Sequence, residues 1–200
     1  MAKLKIYTFP DIVLAKKALP MARVEKSTFK LADDMLETMY DAPGIGLAAN
    51  QVGILERILV IDTDYETEDS EDGSGEMITH KNSRILINPE IIYREGAQIF
   101  EEGCLSVPEY TADVKRFDKI KVKYQTIDGV SRELSAEGLL AVAVQHEMDH
   151  LDGKLFIDRL SAIKKELVKK KLRAERRERE AALAAGDLSV LRKKRKKKEI

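Results

Sequence analysis

Two of the three histidines of this chain stand four residues apart in one apolar segment, and this pair limits the possible folds more than any other feature. The segment reads Gln-His-Glu-Met-Asp-His over 145–150 and follows an aliphatic run at 139–144. Residues at i and i+4 leave one face of an α-helix, so both imidazoles can bind the same metal ion. Two surface histidines beside a charged stretch are the alternative. The apolar surroundings favour a buried metal-binding helix, because they offer the ring nitrogens no local polar partner.

A catalytic metal site needs a third protein ligand and an open position. Glu147, next to His146, can take a proton from water at the metal and return it to a leaving group. The extended pattern H-E-x-x-H-x-x-G-x-x-H fails, because Phe156 stands where its third histidine would be. The lone cysteine, Cys104, is the best remaining candidate for a ligand. A buried free cysteine that acts as a small hydrophobic residue is the alternative.

The remaining patterns predict strands first and a long helix afterwards, which is typical of the α+β class rather than of alternating βαβ units. Turn dipeptides, apolar periodicity and capping residues set the bounds. The predicted strands are 4–9, 57–62, 85–93 with an edge or a bend at Asn88-Pro89, 119–127, and 130–134 after the Asp128-Gly129 turn. The predicted helices run from Ser27 or Thr28 to about 41–44, from a Ser135 cap through 139–151 to Gly153, and over 162–180.

Charge divides the chain into an acidic and a basic part, although 35 basic and 35 acidic residues cancel overall. Residues 162–200 hold 16 basic and 6 acidic residues, whereas 1–161 hold 19 basic and 29 acidic residues. We therefore expect a domain at 1–161 and a basic C-terminal helix and tail at 162–200. The tail contains seven consecutive basic residues at 192–198 and no aromatic residue. It is either a solvated charged segment or a non-specific contact to RNA phosphates.

Other segments exclude several classes of protein. The chain has no run of about 18 apolar residues and no secretory signal pattern, so we expect neither a transmembrane helix nor membrane partners. One cysteine excludes an internal disulfide and fits a reducing compartment, which indicates the cytoplasm. Residues 62–76 hold eight acidic residues without the EF-hand spacing, and we interpret them as an exposed loop. His80 is expected to be a surface histidine.

Three motifs occur in an order and at separations that resemble those of one enzyme family. GIGLAANQ (44–51), EGCLS (102–106) and QHEMDH (145–150) resemble the motifs of bacterial-type peptide deformylases, and the likeness covers about 3–161. The resemblance implies antiparallel and mixed sheets around a central helix that carries the histidines. It also implies an enzyme that removes the formyl group from N-formylmethionine of new polypeptides.

The resemblance also implies roles for single residues. Cys104, His146 and His150 resemble the metal ligands, with water in the fourth position, and Glu147 resembles the general acid/base. Gln51 and the Leu105 N–H resemble the groups that stabilise the oxyanion, and Gly46 resembles a residue whose backbone binds the substrate. The family's usual metal is ferrous iron (Fe2+), with zinc, nickel or cobalt able to substitute.

A flexible apolar methionine side chain requires an apolar pocket near the metal. Three residues on the face of the histidine helix and two further apolar residues are candidates, with ordinary core packing as the alternative. They are Leu139, Val142, Ala143, Ile45 and Phe100.

One departure concerns peptide preference, because Thr111 stands where bacterial members commonly carry an arginine. The resemblance also suggests that the basic C-terminal part docks on the ribosome near the nascent-chain exit. We expect a monomer. Two rival functions share part of the evidence: a zincin-like metalloprotease, which needs a different third ligand, and a non-enzymatic ribosome- or RNA-binding module with an inactive site.

Overall fold

A computed structural model describes residues 2–69 and 76–186 of the chain. Within these ranges it contains three α-helices, nine β-strands and three short 3₁₀ helices. The helices are α1 Lys26–Asp41, α2 Gly138–Leu151 and α3 Ala162–Ala184, with 3₁₀ helices at Ile12–Ala15, Ala49–Val52 and Phe156–Arg159. The strands are β1 Gly46–Ala48, β2 Ile58–Ile61, β3 Glu66–Asp69, β4 Glu76–His80, β5 Arg84–Glu95, β6 Gln98–Cys104, β7 Val107–Arg116, β8 Lys119–Gln125 and β9 Ser131–Glu137.

The strands form one five-stranded sheet and two hairpins. The large sheet has the order β1-β2-β5-β8-β9, and the pairs β3-β4 and β6-β7 stand apart from it. This arrangement confirms the α+β class. The strand pairings of the described residues are antiparallel, and the parallel contact is an isolated bridge between Leu19 and Glu56. The expectation of mixed sheets is therefore not met within 2–69 and 76–186.

The histidine helix α2 lies against one face of the large sheet, and α1 lies against the other. Side chains alternate between the two faces of a strand. In β2, Leu59 and Ile61 pack in one core cluster with α2, while Ile58 and Val60 pack in a second cluster with α1. All residues of α2 from 141 to 151 are buried, as the apolar segment around the histidines predicts.

Several sequence expectations need correction. Residues 4–9 are not a strand, because the amides of Leu4, Tyr7 and Phe9 donate to three separate acceptors instead of one ladder. Strand β5 is central and not an edge. Its proline is tolerated because the register shifts between Ile87 and Glu90, and Asn88 has a φ of 51°, so the predicted bend is confirmed.

Two helix caps also differ from the prediction. Helix α1 begins at Lys26, so Thr28 is its third residue and not its cap. The Thr28 Oγ1 accepts a hydrogen bond from the N–H of the capping residue, Glu25. Ser135 belongs to β9, which runs directly into α2 at Gly138. The turn at Gly129 and the helix stop at Gly153 are confirmed, with φ values of 81° and 72°.

The acidic stretch is not simply an exposed loop. Asp62 is fully buried and accepts hydrogen bonds from the Tyr40 hydroxyl and the Asn82 N–H. Strands β3 and β4 pair antiparallel, while residues 70–75 lie outside the described part of the chain. The count of acidic residues misled the prediction, because a hairpin is held by backbone pairing and tolerates charge on its surface.

The described residues fall into two compact units, and the boundary between them in the sequence lies between Arg159 and Leu160. The second unit consists of helix α3, which extends to Ala184, four residues beyond the prediction. Ion pairs at i and i+4 join Lys171 to Glu175 and Arg176 to Glu180 on its surface. The basic run at 192–198 lies outside the described residues. No helix in the described part of the chain is long and apolar enough to cross a membrane.

Candidate metal centre and active site

Cys104, His146 and His150 converge on one point, with their ligand atoms within 4.8 Å of one another. The Cys104 Sγ lies 3.2 Å from the His150 Nε2, which lies 3.2 Å from the His146 Nε2. A tetrahedral ion with metal–nitrogen and metal–sulfur bonds of about 2.1 and 2.3 Å would separate such ligands by about 3.4–3.6 Å. The three side chains therefore fit a single divalent cation with an open fourth position.

Two elements far apart in sequence supply this cluster. Helix α2 delivers both histidines from one face, and Cys104 ends strand β6 at the turn into β7, where the strand register shifts after Glu102. His150 is 1% exposed. Burial, followed by the nearby His146, lowers the pKa of His150 well below its usual value. This shift favours the neutral ring, which is the form that binds a metal.

A buried carboxylate that the sequence analysis did not single out orients His146. The His146 Nδ1 lies 2.8 Å from the Glu102 Oε2, which directs the Nε2 toward Cys104 and His150. Burial alone would raise the pKa of Glu102, but hydrogen bonds from Arg116 and His146 outweigh it and lower that pKa. Glu102 therefore stays ionised and accepts the ring N–H. Its place in the EGCLS motif was the only sequence signal for this role.

Arg116 ties Glu102 to the metal-binding helix. Its Nε and Nη2 donate to the two oxygens of Glu102 at 2.6 and 2.9 Å, and its Nη1 donates to the Asp149 Oδ2 at 2.5 Å. Arg159 donates to both oxygens of Asp149 as well. The Arg116 side chain is 2% exposed. Breaking such a buried network by removing one partner is costly, because it leaves an unpaired charge.

Glu147 is a second buried carboxylate, adjacent to the cluster and free of such pairing. It is 5% exposed, and its Oε2 has no hydrogen-bond partner among the described residues. Burial raises the pKa of Glu147 to about 7. This carboxyl group can thus gain and lose a proton near neutral pH, which suits a general acid/base.

Gln51 and Leu105 line the same pocket as Cys104 and His146. The Gln51 Oε1 accepts the Ala48 N–H at 2.8 Å, which turns the Nε2 toward the Ser106 Oγ at 3.2 Å and the Cys104 Sγ at 3.7 Å. The Ser106 N–H also points to this sulfur, at 3.4 Å. The amide of Gln51 is therefore held in one orientation, with its donor end at the metal site.

A pocket of about 400 Å³ opens over the cluster. The five residues predicted for an apolar side-chain pocket all line it. Val142 and Ala143 are buried at its base, while three larger side chains are 37–39% exposed at its mouth; these are Ile45, Phe100 and Leu139. Pure core packing, the alternative for these residues, does not account for the three exposed ones.

Three further residues have a definite place. Thr111 is exposed on β7, and its hydroxyl donates to Glu101, which lines the pocket. Phe156 is buried and stacks on the His146 ring at a centroid distance of 6.1 Å. The position of the third zincin ligand is thus occupied by a packing residue, and Cys104 stands at the cluster instead. His80 is exposed on β4, as predicted.

An α+β domain whose central helix brings two histidines to a cysteine, in a cluster able to hold a metal ion beside a buried carboxyl group, fits the class of metal-dependent hydrolases. Comparison with known proteins narrows this class. The family model described as polypeptide deformylase matches residues 3–166. This chain therefore belongs to the polypeptide deformylase family, a family of enzymes, and the resemblance seen in the three motifs is confirmed.

Individual relatives agree with this assignment. The chain is 51% identical over 175 residues to peptide deformylase 2 of Xanthomonas campestris, covering 86% of this chain and 95% of the relative. It is 50% identical over 182 residues to the peptide deformylase of Nitrosococcus oceani, covering 91% and 100%. The crystal structure of a peptide deformylase from Legionella pneumophila superposes with a TM-score of 0.74 at 41% identity, covering 88% and 96%.

A structure solved with a bound ligand is also similar. The peptide deformylase of Ehrlichia chaffeensis in complex with actinonin has a TM-score of 0.75 at 36% identity and covers 88% of this chain and 98% of its own. The likeness therefore spans nearly the whole of each relative and includes the fold as well as the sequence.

Proposed function

We propose that this enzyme removes the formyl group from N-formylmethionine at the start of newly made polypeptides and releases formate. The observation that carries the proposal is the buried Glu147 carboxyl beside the Cys104-His146-His150 cluster. Together they provide a metal site and a proton carrier at the base of an open pocket. Membership of the deformylase family supports the choice of the formyl amide as the bond that is cleaved.

Strand β1 and the pocket would hold the substrate. β1 is an edge strand of the large sheet, so an extended peptide can pair with its free edge through the backbone of Gly46. The methionine side chain then enters the apolar pocket between the base residues Val142 and Ala143 and the three larger side chains at the mouth. This placement brings the formyl group to the open side of the three ligands.

The residues of the chain divide the chemistry among them. When bound, a divalent cation supplies a water of lowered pKa and polarises the formyl carbonyl. Glu147 accepts a proton as the water oxygen bonds to the formyl carbon, and it delivers that proton to the amine nitrogen as the carbon–nitrogen bond breaks. The Gln51 Nε2 and the Leu105 N–H donate to the oxyanion formed in between, and each such donor is worth about 10²–10³ in rate.

The family supports ferrous iron as the working metal, with zinc, nickel or cobalt as substitutes. One thiolate and two imidazoles suit any of these cations. A single soft sulfur ligand would also make an iron-loaded site sensitive to oxidation at Cys104. The iron-loaded chain must therefore be prepared and assayed without oxygen.

The partners follow from the substrate. Formylated nascent chains are made on ribosomes, so we propose that the enzyme works in the cytoplasm and that its basic C-terminal part contacts ribosomal RNA phosphates. We also propose that it acts as a monomer. The chain without residues 181–200 is expected to bind ribosomes more weakly, with little change in activity on short formyl-peptides. Equal ribosome affinity of both chains at low salt would contradict this role of the tail.

The decisive experiment measures formate release from a formyl-Met tripeptide by the full chain loaded anaerobically with iron or nickel. We expect turnover with either metal and none after chelation, with recovery when metal is returned. The same peptide without the formyl group, with the fate of its internal bonds followed, is the control. Internal cleavage would favour the metalloprotease, and intact peptides in both cases would favour the non-enzymatic module.

Besides its proposed backbone contact with the substrate, position 46 has no room for a side chain. A Cβ at this position would lie 2.6 Å from the Glu147 Oε1 and 2.9 Å from its Cδ and Cγ. We expect Gly46→Ala to displace the carboxyl and to lower kcat/KM by about 10²-fold, the cost of an ångström-scale misplacement. Gly103→Ala is the comparison, since its Cβ meets only Thr111 Cγ2 at 3.5 Å. An equal loss in both variants, at unchanged metal content, would contradict the collision with Glu147.

A further inference from the structure

Residues 2–9 form an N-terminal strap that crosses the two segments carrying Gln51 and Leu105. The Tyr7 N–H donates to the backbone carbonyl of Gln51 at 2.7 Å, and the Phe9 N–H donates to the carbonyl of Ser106 at 2.8 Å. Gln51 is 1% exposed and Ser106 is fully buried. The strap thus contacts, through its backbone, the residue that carries one oxyanion donor and the neighbour of the other.

The two segments also meet directly. The Gln51 Nε2 donates to the Ser106 Oγ at 3.2 Å, and the Ser106 N–H points to the Cys104 Sγ at 3.4 Å. The strap bonds and the side-chain bond therefore close a ring that runs from Tyr7 through Gln51 and Ser106 to Phe9. Within this ring, the 3₁₀ helix Ala49–Val52 and the turn after β6 are held at a fixed separation. These segments belong to different elements and are 55 residues apart in sequence.

The strap is itself anchored. The Ala2 N–H donates to the Asp34 Oδ1 at 2.7 Å and the Leu4 N–H to the Thr38 Oγ1 at 2.9 Å, both on helix α1. The Tyr7 ring lies so close to Gly53 that a Cβ there would be 2.8 Å from the Tyr7 Cε2. Because α1 packs on the large sheet, the strap connects the oxyanion donors to the core.

We propose that the strap is a positioning element of the oxyanion site, acting through the Tyr7 and Phe9 amides on Gln51 and on the Leu105–Ser106 turn. The inference rests on the proposed function. An oxyanion donor contributes only when it is aimed at the position where charge develops. Loss of a strap bond lets the two segments move apart and lowers kcat, while substrate binding through β1 and the pocket is kept.

Tyr7→Pro tests the proposal, because it removes the amide hydrogen. Tyr7→Ala is the matched variant, since it removes the ring but keeps the N–H. We expect the kcat of Tyr7→Pro to fall about 10-fold or more below that of Tyr7→Ala, with KM and metal content unchanged.

These measurements distinguish a failure of the strap proposal from a failure of the proposed function. If the unaltered, metal-loaded chain releases no formate, the proposed function fails. If it does, the strap proposal is overturned when Tyr7→Pro and Tyr7→Ala have equal kcat values, or when KM rises or metal content falls together with kcat.

If Tyr7→Pro does not fold, amide hydrogen exchange on the unaltered chain tests the strap proposal instead. A peptide hydroxamate bound at the metal should slow exchange at the Tyr7 and Phe9 amides more than at the Thr126 amide, which donates to the Val130 carbonyl away from the strap, because coupling between two sites is reciprocal. Equal slowing at the three amides would overturn the proposal.

Discussion

Glu147→Gln is expected to lower formate release from a formyl-Met peptide by about 10²–10⁴-fold, the usual contribution of a positioned acid/base. The amide has nearly the shape of the carboxyl but can neither accept the proton of the attacking water nor return it to the amine. The Glu147 Oε2 has no partner to lose among the described residues, so the variant should fold and bind metal normally. Turnover and metal content per chain, measured on the same preparation, check both expectations.

Glu133→Gln is the control for this experiment, because Glu133 is exposed on β9 and the chemical change is identical. It should match the unaltered chain in rate and metal content. A Glu147→Gln enzyme that retained a rate within a few-fold of the unaltered chain would remove Glu147 from the role of proton carrier. A variant that lost its metal would assign Glu147 to the metal site instead.

Cys104→Ala is expected to abolish stable metal binding together with activity. Two imidazoles remain, but the Sγ that lies 3.2 Å from the His150 Nε2 is gone. Loss of an outer partner of a ligand already costs about 10–100-fold in affinity or activity, so loss of a ligand should cost more than about 100-fold. Metal content after dialysis, followed by titration with nickel or zinc, measures the change in affinity directly.

Cys104 is the only cysteine of the chain, so no second cysteine can serve as a matched control. Ser131→Ala is used instead, because Ser131 is a small exposed residue at the start of β9. It should bind one metal per chain. Full metal occupancy of Cys104→Ala would contradict the assignment of the cysteine as third ligand. The buried carboxylates at the pocket, Glu102 and Glu147, would then be the remaining candidates for that ligand.

Local periodicity predicted the histidine helix well. Spacing at i and i+4 together with an aliphatic run required a buried helix, and α2 is buried from residue 141 to 151. The candidate pocket could also be predicted, because four of its five predicted residues lie on this helix or in the first motif, and Phe100 stands two residues before the EGCLS motif. Such features depend on neighbours along the chain, so the sequence contains them directly.

Backbone partners could not be predicted in the same way. Residues 4–9 alternate as a strand does, yet three of their amides donate to Thr38 on α1, to Gln51 on a 3₁₀ helix and to Ser106 in the turn between β6 and β7. Strand β5 contains Asn88-Pro89 and still lies at the centre of the sheet. In both cases the outcome depends on which distant backbone groups become available, and no local pattern encodes that.

By itself, the sequence determined the chemistry that this protein can perform: two histidines and a glutamate on one helix, a single cysteine, and three motifs of one family. The tertiary structure alone decided how these groups are tuned. It brought Glu102 within hydrogen-bond distance of His146, paired Arg116 with both Glu102 and Asp149, and buried Glu147 with no partner for its Oε2 among the described residues. The reason is physical, because a pKa or a ligand orientation depends on burial and on charges brought together across long sequence separations.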